Sequence, residues 1–305
     1  MELKWAPLLG AFATEDSTLV FKGQRIQYEG QFQPAIGNFI ANRQFSGGSI
    51  SADISFDAVD NYSACELIAF YDPARKVFMT AGLGGSGGLY SIRSFANTWT
   101  VHASAGDRSS LKAGVQYHVN VHLVGSRVAL TVDGVNVLDI QLPGSLPSSQ
   151  VGVWCISESE IRIANFSVVS KPPTIFVVME FTSPYNEIYL EVIKSVCRDL
   201  GVDAVRADEA AGPGVILADI VRSIVEAKAV IAEISPANPN VYYEVGYAHA
   251  LGKPTILIAD RSTKLPFDVS PFRVLFYDNT IPGRSRFEEG LKRHLSAIFL
   301  PVSDT

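Results

Sequence analysis

Ile50, Ala52, Ile54 and Phe56 alternate with Ser51, Asp53 and Ser55. A strand turns successive side chains to opposite faces, so this period of two predicts a strand over residues 49–56 with one buried face. Residues 117–124 alternate in the same way and set His118, Asn120 and His122 on one face. The runs 128–132 and 135–142 flank Asp133-Gly134. Asp-Gly between two apolar runs predicts a hairpin, because a type I′ turn needs positive φ at both central residues. Residues 152–156 and 161–169 read as two more strands, and Gly82 to Gly88 as a flexible loop between strands. Short strands with turns between them predict an all-β antiparallel sandwich or jelly roll over residues 1–170.

The pattern changes at Lys171-Pro172-Pro173. Two prolines bring no amide donors to a sheet ladder, which suits a linker. Residues 174–179 then form a continuous apolar run, as in a central parallel strand. Over 185–200, Tyr185, Ile188, Tyr189, Val192, Ile193, Val196 and Leu200 recur at helical spacing. Ala204-Val205 sits in a short second strand, and Gly212-Pro213-Gly214 breaks the chain. Helices are expected at 215–227, at 240–251 (ended by Gly252 with Pro254 beyond) and at 287–299, and strands at 229–234, 255–259 and 274–277. This alternation predicts a second domain over 174–305, an α/β doubly wound, five-stranded parallel sheet of flavodoxin-like order 2-1-3-4-5. Ligands of such sheets bind beyond the carboxyl ends of the strands, at the switch point between the first and third. The loops 180–185, 208–214 and 235–240 converge there.

Composition narrows the function classes. A chain of 305 residues makes about two domains. With 47% hydrophobic and 18% charged residues it has material for packed cores. No apolar run reaches the roughly 18 to 20 residues of a membrane span, and the first residues lack the basic and apolar regions of a secretory signal. Cys65, Cys155 and Cys197 are too few and scattered for a disulfide framework or a zinc cluster, so a reducing cytoplasm is expected and no membrane partner. Residues 1–170 carry 11 Lys+Arg against 14 Asp+Glu and residues 171–305 carry 14 against 17, a net −3 each. Neither part has a basic stripe, which argues against nucleic acid as the partner.

In the first domain, His118 and His122 stand two apart on one strand face, but the sequence places no carboxylate with them and no metal site is predicted. Trp99 and Trp154 could stack on a sugar ring; Trp154, in an apolar strand, suits the core better. In the second, Asn240 is a good N-cap, which puts Glu244 in the first turn or just beyond, where the helix dipole favours a carboxylate. Gly246 costs about 1 kcal/mol against Ala inside a helix, which predicts a close approach by the sheet or a ligand. A carboxylate at the crevice can act as nucleophile, general base or stabiliser of an oxocarbenium ion, or can simply serve the helix dipole. Phe181 and Tyr185 could stack on a base, Ser183 meet a ribose or phosphate oxygen, Arg206 a phosphate and Glu233 a ribose hydroxyl. Asp208, Ser235, Asn238 and Asn240 complete the candidate binding set. Loop packing, capping and solvated strand ends are the alternatives.

Glu244, Gly246, Ala248, Ala250, Leu251, Gly252, Lys253 and Pro254 match the x-x-E-x-G-x-A-x-A-L-G-K-P pattern of nucleoside deoxyribosyltransferase-like proteins, which residues 174–299 resemble. The related Toll/interleukin receptor (TIR) fold has the same strand order and a catalytic glutamate on the corresponding helix, and Gly212-Pro213-Gly214 resembles its assembly loop. Val241-Tyr242-Tyr243 stands where TIR domains have a Trp-Cys pair, Pro236-Ala237-Asn238-Pro239-Asn240 where the transferases have acidic residues, and Glu233 where relatives often have Asp. The resemblance implies cleavage of an N-glycosidic bond at Glu244. The leading expectation is an NAD⁺ glycohydrolase of TIR-like antiphage defence, with NAD⁺ as substrate and no cofactor, active as a homo-oligomer through the 208–214 loop. A nucleoside deoxyribosyltransferase and a non-catalytic nucleotide sensor are the alternatives. The segments HLVGSRVALTVDGVNVLDIQLPG and QVGVWCISESEIRIANFSVV resemble the end of a laminin-G or concanavalin-like sandwich, which implies a sensor or assembly module for a glycan, small-molecule or protein trigger.

Overall fold

The computed structural model describes residues 3–28, 30–85, 87–209, 216–267, 269, 272–278 and 280–299. The chain forms two compact units, Met1–Leu123 with Arg127–Gln141 and Ser148–Lys171, and Val124–Ser126 with Leu142–Pro147 and Pro172–Thr305.

The first unit is a sandwich of two antiparallel sheets. Among the described residues, one sheet runs in the order Trp5–Leu9, Gln31–Phe45, Ser149–Ser157, Ala64–Asp72, Val77–Leu83, Gly88–Ala96, Thr98–Asp107, with Arg25–Tyr28 also paired to Gln31–Phe45. The other runs Val135–Gln141, Arg127–Val132, Gln116–Val124, Gly48–Phe56, Ile161–Ser170, Thr18–Phe21, Phe12–Glu15. Gly48–Phe56 alternates strictly between buried and half-buried positions, with Ile50, Ala52, Ile54 and Phe56 inside. At the hairpin, Asp133 has φ 50° and Gly134 φ 81°, the positive pair that the Asp-Gly turn demands. The glycine-rich connection is shorter than its composition predicts, because Gly82 lies within Val77–Leu83 and Gly88 begins the next strand. A Cβ on Gly82 would come within 2.6 Å of the Cys65 carbonyl oxygen, so the glycine there serves close packing rather than flexibility.

A charge lies inside this unit. Glu66 is fully buried and accepts from Thr80 Oγ1 at 2.8 Å, Ser91 Oγ at 2.5 Å and Arg93 Nε at 2.8 and 3.0 Å. The Arg93 guanidinium lies 3.7 Å from the ring centroid of Trp99 and 4.5 Å from that of Trp154. The two indoles also meet edge to face, at 5.1 Å. Both tryptophans therefore already hold a cation. His118 Nδ1 finds a carboxylate the sequence did not place, Asp53 Oδ1 at 2.7 Å, while His122 Nδ1 meets Ser49 Oγ at 2.9 Å. Among the described residues no cluster of three or more His, Cys, Asp or Glu is set to hold a metal ion. Cys65 and Cys155 face each other in register, both free and buried, with sulfurs 3.5 Å apart. Burial holds the Cys155 thiol well above its ordinary pKa.

The second unit contains β1 (Thr174–Val178), β2 (Asp203–Arg206), β3 (Ala229–Glu233), β4 (Thr255–Asp260) and β5 (Val274–Tyr277), all parallel and ordered β2-β1-β3-β4-β5. Helix α1 joins Tyr185–Glu187, a π-helical segment Ile188–Ile193 and Lys194–Asp199; α2 is Ile216–Glu226, α3 Pro239–Ala250 and α4 Ile281–Phe299. Each face of the sheet has its own core. Ile175, Val177, Ile231 and Ile258 pack with α1 and α4, while Phe176, Val178, Val230, Ala232 and Leu257 pack with α2 and α3. Helix α4 begins at Ile281 rather than at 287, because Thr280 Oγ1 accepts the Gly283 amide at 3.0 Å and Pro282 fits a first turn. The Gly212-Pro213-Gly214 loop lies outside the described residues. No described helix is long and apolar enough to cross a membrane.

Candidate functional site

Helix α3 starts at Pro239, and its N-cap is Asn238, not Asn240: the Asn238 Oδ1 accepts the Asn240 amide at 2.9 Å. Proline at the first helical position removes an amide that would have no partner there anyway. The shift places Glu244 in the second turn, beyond the reach of the helix-terminal charge. Val241, Val245 and Ala248 bury one side of α3 against the sheet, which leaves Glu244 half-buried beside them.

Glu244 lines a cleft of about 900 Å³ at the carboxyl ends of β1 and β3, the switch point of the sheet. Among the described residues its carboxylate has no hydrogen-bond or ion-pair partner. Burial without compensation pushes it up to about 7, the reverse of the lowering expected from a first-turn position. Of the predicted binding residues, Phe181, Asp208, Asn238 and Asn240 line the same cleft. Asn238 serves twice, since its Nδ2 donates to Glu180 Oε1 at 3.0 Å while its oxygen caps α3.

The remaining candidates do not converge there. Glu233 follows Ile231 in the period of the strand and so points to the α1/α4 face. It is fully buried; its Oε1 accepts from the Tyr277 hydroxyl at 3.0 Å and from the Ser235 amide at 3.1 Å and hydroxyl, and burial raises its pKa. Tyr185 and Ser235 line a separate cavity of about 400 Å³ on that face, with Asp260 and Tyr277. Ser183 is exposed and lines neither space. Arg206 is buried, and its Nε and Nη2 both meet Asp208 at 2.7 Å, so its charge is matched within the fold rather than held out for a phosphate. That pairing also keeps the Asp208 carboxyl below its ordinary pKa.

Among the cleft residues not named as candidates are Glu180, whose loop was placed at the switch point, Asp219 and Tyr243. Glu180 stands just past the end of β1 and Tyr243 immediately before Glu244, so position relative to the predicted elements was the available signal. Gly246 corrects half of an expectation: nothing in the described structure lies within 4 Å of where its Cβ would be, so the sheet makes no close approach there. Lys253 of the matched pattern is buried, and its Nζ donates to the carbonyls of Val225 at 2.5 Å and Ala227 at 2.7 Å. It precedes β4 and so serves the amino end of the sheet, not the cleft.

No protein-family model matches the chain, and no curated protein matches it. Among solved structures it is similar to the carbohydrate-binding module CBM66 from Bacillus subtilis, at 15% identity over 53% of this chain and 92% of that one, with a TM-score of 0.45. It is also similar to a prokaryotic β-1,3-1,4-glucanase (lichenase) derived from a mouse hindgut metagenome, at 10% identity over 52% and 92%, TM-score 0.37. A putative glycosyl hydrolase from Parabacteroides distasonis overlaps at 13% identity over 55% and 100%, TM-score 0.34. Likeness at this level carries neither ligand nor activity to this chain.

Proposed function

We propose that the second unit breaks, or breaks and transfers, the N-glycosidic bond of a ribosyl compound, with Glu244 as the reacting carboxylate. One observation carries the reading: a carboxylate without a partner among the described residues, its pKa raised to about 7 by burial, at the switch point of a parallel sheet ordered 2-1-3-4-5. The match of Glu244 to Pro254 with the deoxyribosyltransferase-like pattern supports the same assignment, as does the place of the TIR glutamate on the corresponding helix. As a base leaves C1′, positive charge develops on that carbon, and a carboxylate beside it stabilises the charge or captures the sugar covalently. A carboxyl near pH 7 is poised for this, being ionised in part for attack and protonated in part for a leaving group that needs a proton. NAD⁺ and deoxynucleosides both contain such a bond. We assign the sandwich the role of sensor or assembly module.

The test is incubation of the full chain with NAD⁺ and with deoxynucleosides, followed by chromatography for free base. Glu244→Gln keeps the shape and removes the charge, so base release should fall by about 10³-fold or more in a variant that still unfolds cooperatively. Release at near wild-type rates from that variant would remove Glu244 from the chemistry.

A further inference from the structure

The polar lining of the Glu244 cleft has one sign. It holds four carboxylates, Glu180, Asp208, Asp219 and Glu244, and among the described lining residues no lysine or arginine. Among the described residues, two arginines sit near these acids and are matched to them, and Lys194, whose charge also reaches Asp208, is paired with Glu209 at 2.5 Å. Arg206 spends Nε and Nη2 on Asp208, shares Nη2 with Asn186 Oδ1 at 3.1 Å, and stacks at 5.0 Å on Phe181 and 4.3 Å on Tyr189. Arg222, largely exposed, stands 3.7 Å from Asp219. Glu180 and Glu244 have no cationic partner among the described residues. The same cleft presents two exposed aromatic rings, Phe181 and Tyr243.

Carboxylates repel a pyrophosphate in a confined site and attract a cation, and aromatic faces attract cations as well. We infer that this cleft takes an N-riboside whose base is itself positively charged, an N-alkylated pyridinium or N7-alkylated purine nucleoside, and disfavours pyrophosphate-bearing dinucleotides. The inference rests on the glycosidase reading and names its substrate class.

The chemistry suits such a substrate. When the C1′–N bond breaks, its electron pair passes to the base nitrogen and cancels the positive charge, so the base leaves neutral and needs no proton. The Glu244 carboxylate meets C1′ as the bond opens. Water then adds to C1′, giving free ribose and releasing one proton, and the carboxylate is restored. Riboside cation and water thus become ribose, neutral base and a proton.

The experiment compares nicotinamide riboside, nicotinamide mononucleotide, NAD⁺ and 2′-deoxyinosine as substrates of the full chain, with free base measured at low and high salt. The expected order is nicotinamide riboside first, with kcat/KM at least about 10-fold above that for NAD⁺ and the mononucleotide between, the gap narrowing at high salt as screening weakens the field. Asp208→Asn, which frees Arg206, and Asp219→Asn should each narrow it too; either variant alone suffices if the other fails to fold. Turnover of NAD⁺ equal to or better than nicotinamide riboside overturns the inference and leaves the glycosidase reading standing, and so does preference for 2′-deoxyinosine. No base released from any of the four removes the glycosidase reading and the inference with it.

Discussion

Glu66 and Glu244 are both carboxylates drawn away from water, one in each unit, and the chain treats them in opposite ways. Glu66 reads as one acid in an apolar strand, yet its oxygens receive Thr80, Ser91 and the Arg93 fork, and two tryptophans cover that arginine. Glu244 has a helix side, a cleft and, among the described residues, no partner. A buried charge with its hydrogen bonds complete belongs to the architecture and holds neighbouring strands in one register. A carboxylate withdrawn from water and left alone costs stability, and such a cost persists where reactivity is served.

The comparison breaks most easily on the Glu66 side. Arg93→Ala leaves that carboxylate buried without its cation, and the expected loss is about 3–5 kcal/mol. All three tryptophans, Trp5, Trp99 and Trp154, belong to the sandwich, so urea unfolding followed by tryptophan fluorescence reads that unit alone. A midpoint equal to wild type would show that Glu66 does not depend on Arg93.

The second prediction runs the other way. The Glu244 pKa lies near 7 when folded against 4.5 for an unperturbed glutamate, so the folded state prefers the protonated form. Stability is therefore lost as pH rises from about 4.5 to about 7, and the loss is complete above that. Glu244→Gln should unfold at a higher temperature than wild type at pH 8, and the two should converge below about pH 4.5. Calorimetry across that range decides it; a variant less stable than wild type at pH 8 would mean that Glu244 is satisfied after all.

The smallest effect sharpens the picture of α3. Among the described residues nothing crowds the Cβ position of Gly246, so Gly246→Ala should gain about 0.5–1 kcal/mol of stability. If base release drops while stability rises, the open space is where a ligand comes close. If both rise or hold, the glycine has no such role.

Periodicity made the strands legible because each test is local. Ile50 to Phe56 needs only its own neighbours, and Asp133-Gly134 needs only its own φ angles. Glu66–Arg93 was illegible because its partners lie 27 residues apart and meet only across two strand pairings. The start of α4 was hidden because Pro282 and Gly283 look like breakers until Thr280 is seen to cap them. Within the candidate site, Glu244 stood out because its pattern is contiguous. Glu233, Tyr185 and Ser235 were grouped with it by nearness to the switch point, although strand parity sets Glu233 with Ile231 on the opposite face. Convergence of loops at one end of a sheet does not say which side of the sheet each residue serves.

The three cysteines give the molecule an internal clock for opening. Cys65 and Cys155 are sealed inside the sandwich and Cys197 inside the parallel-sheet unit, where burial raises its thiol to about 12. None is exposed to an alkylating reagent while its unit is closed. Mass spectrometry of the chain under slow labelling would thus time each unit separately by stoichiometry. Two added groups arriving together mark an excursion of the sandwich, and one alone marks the unit that carries Glu244.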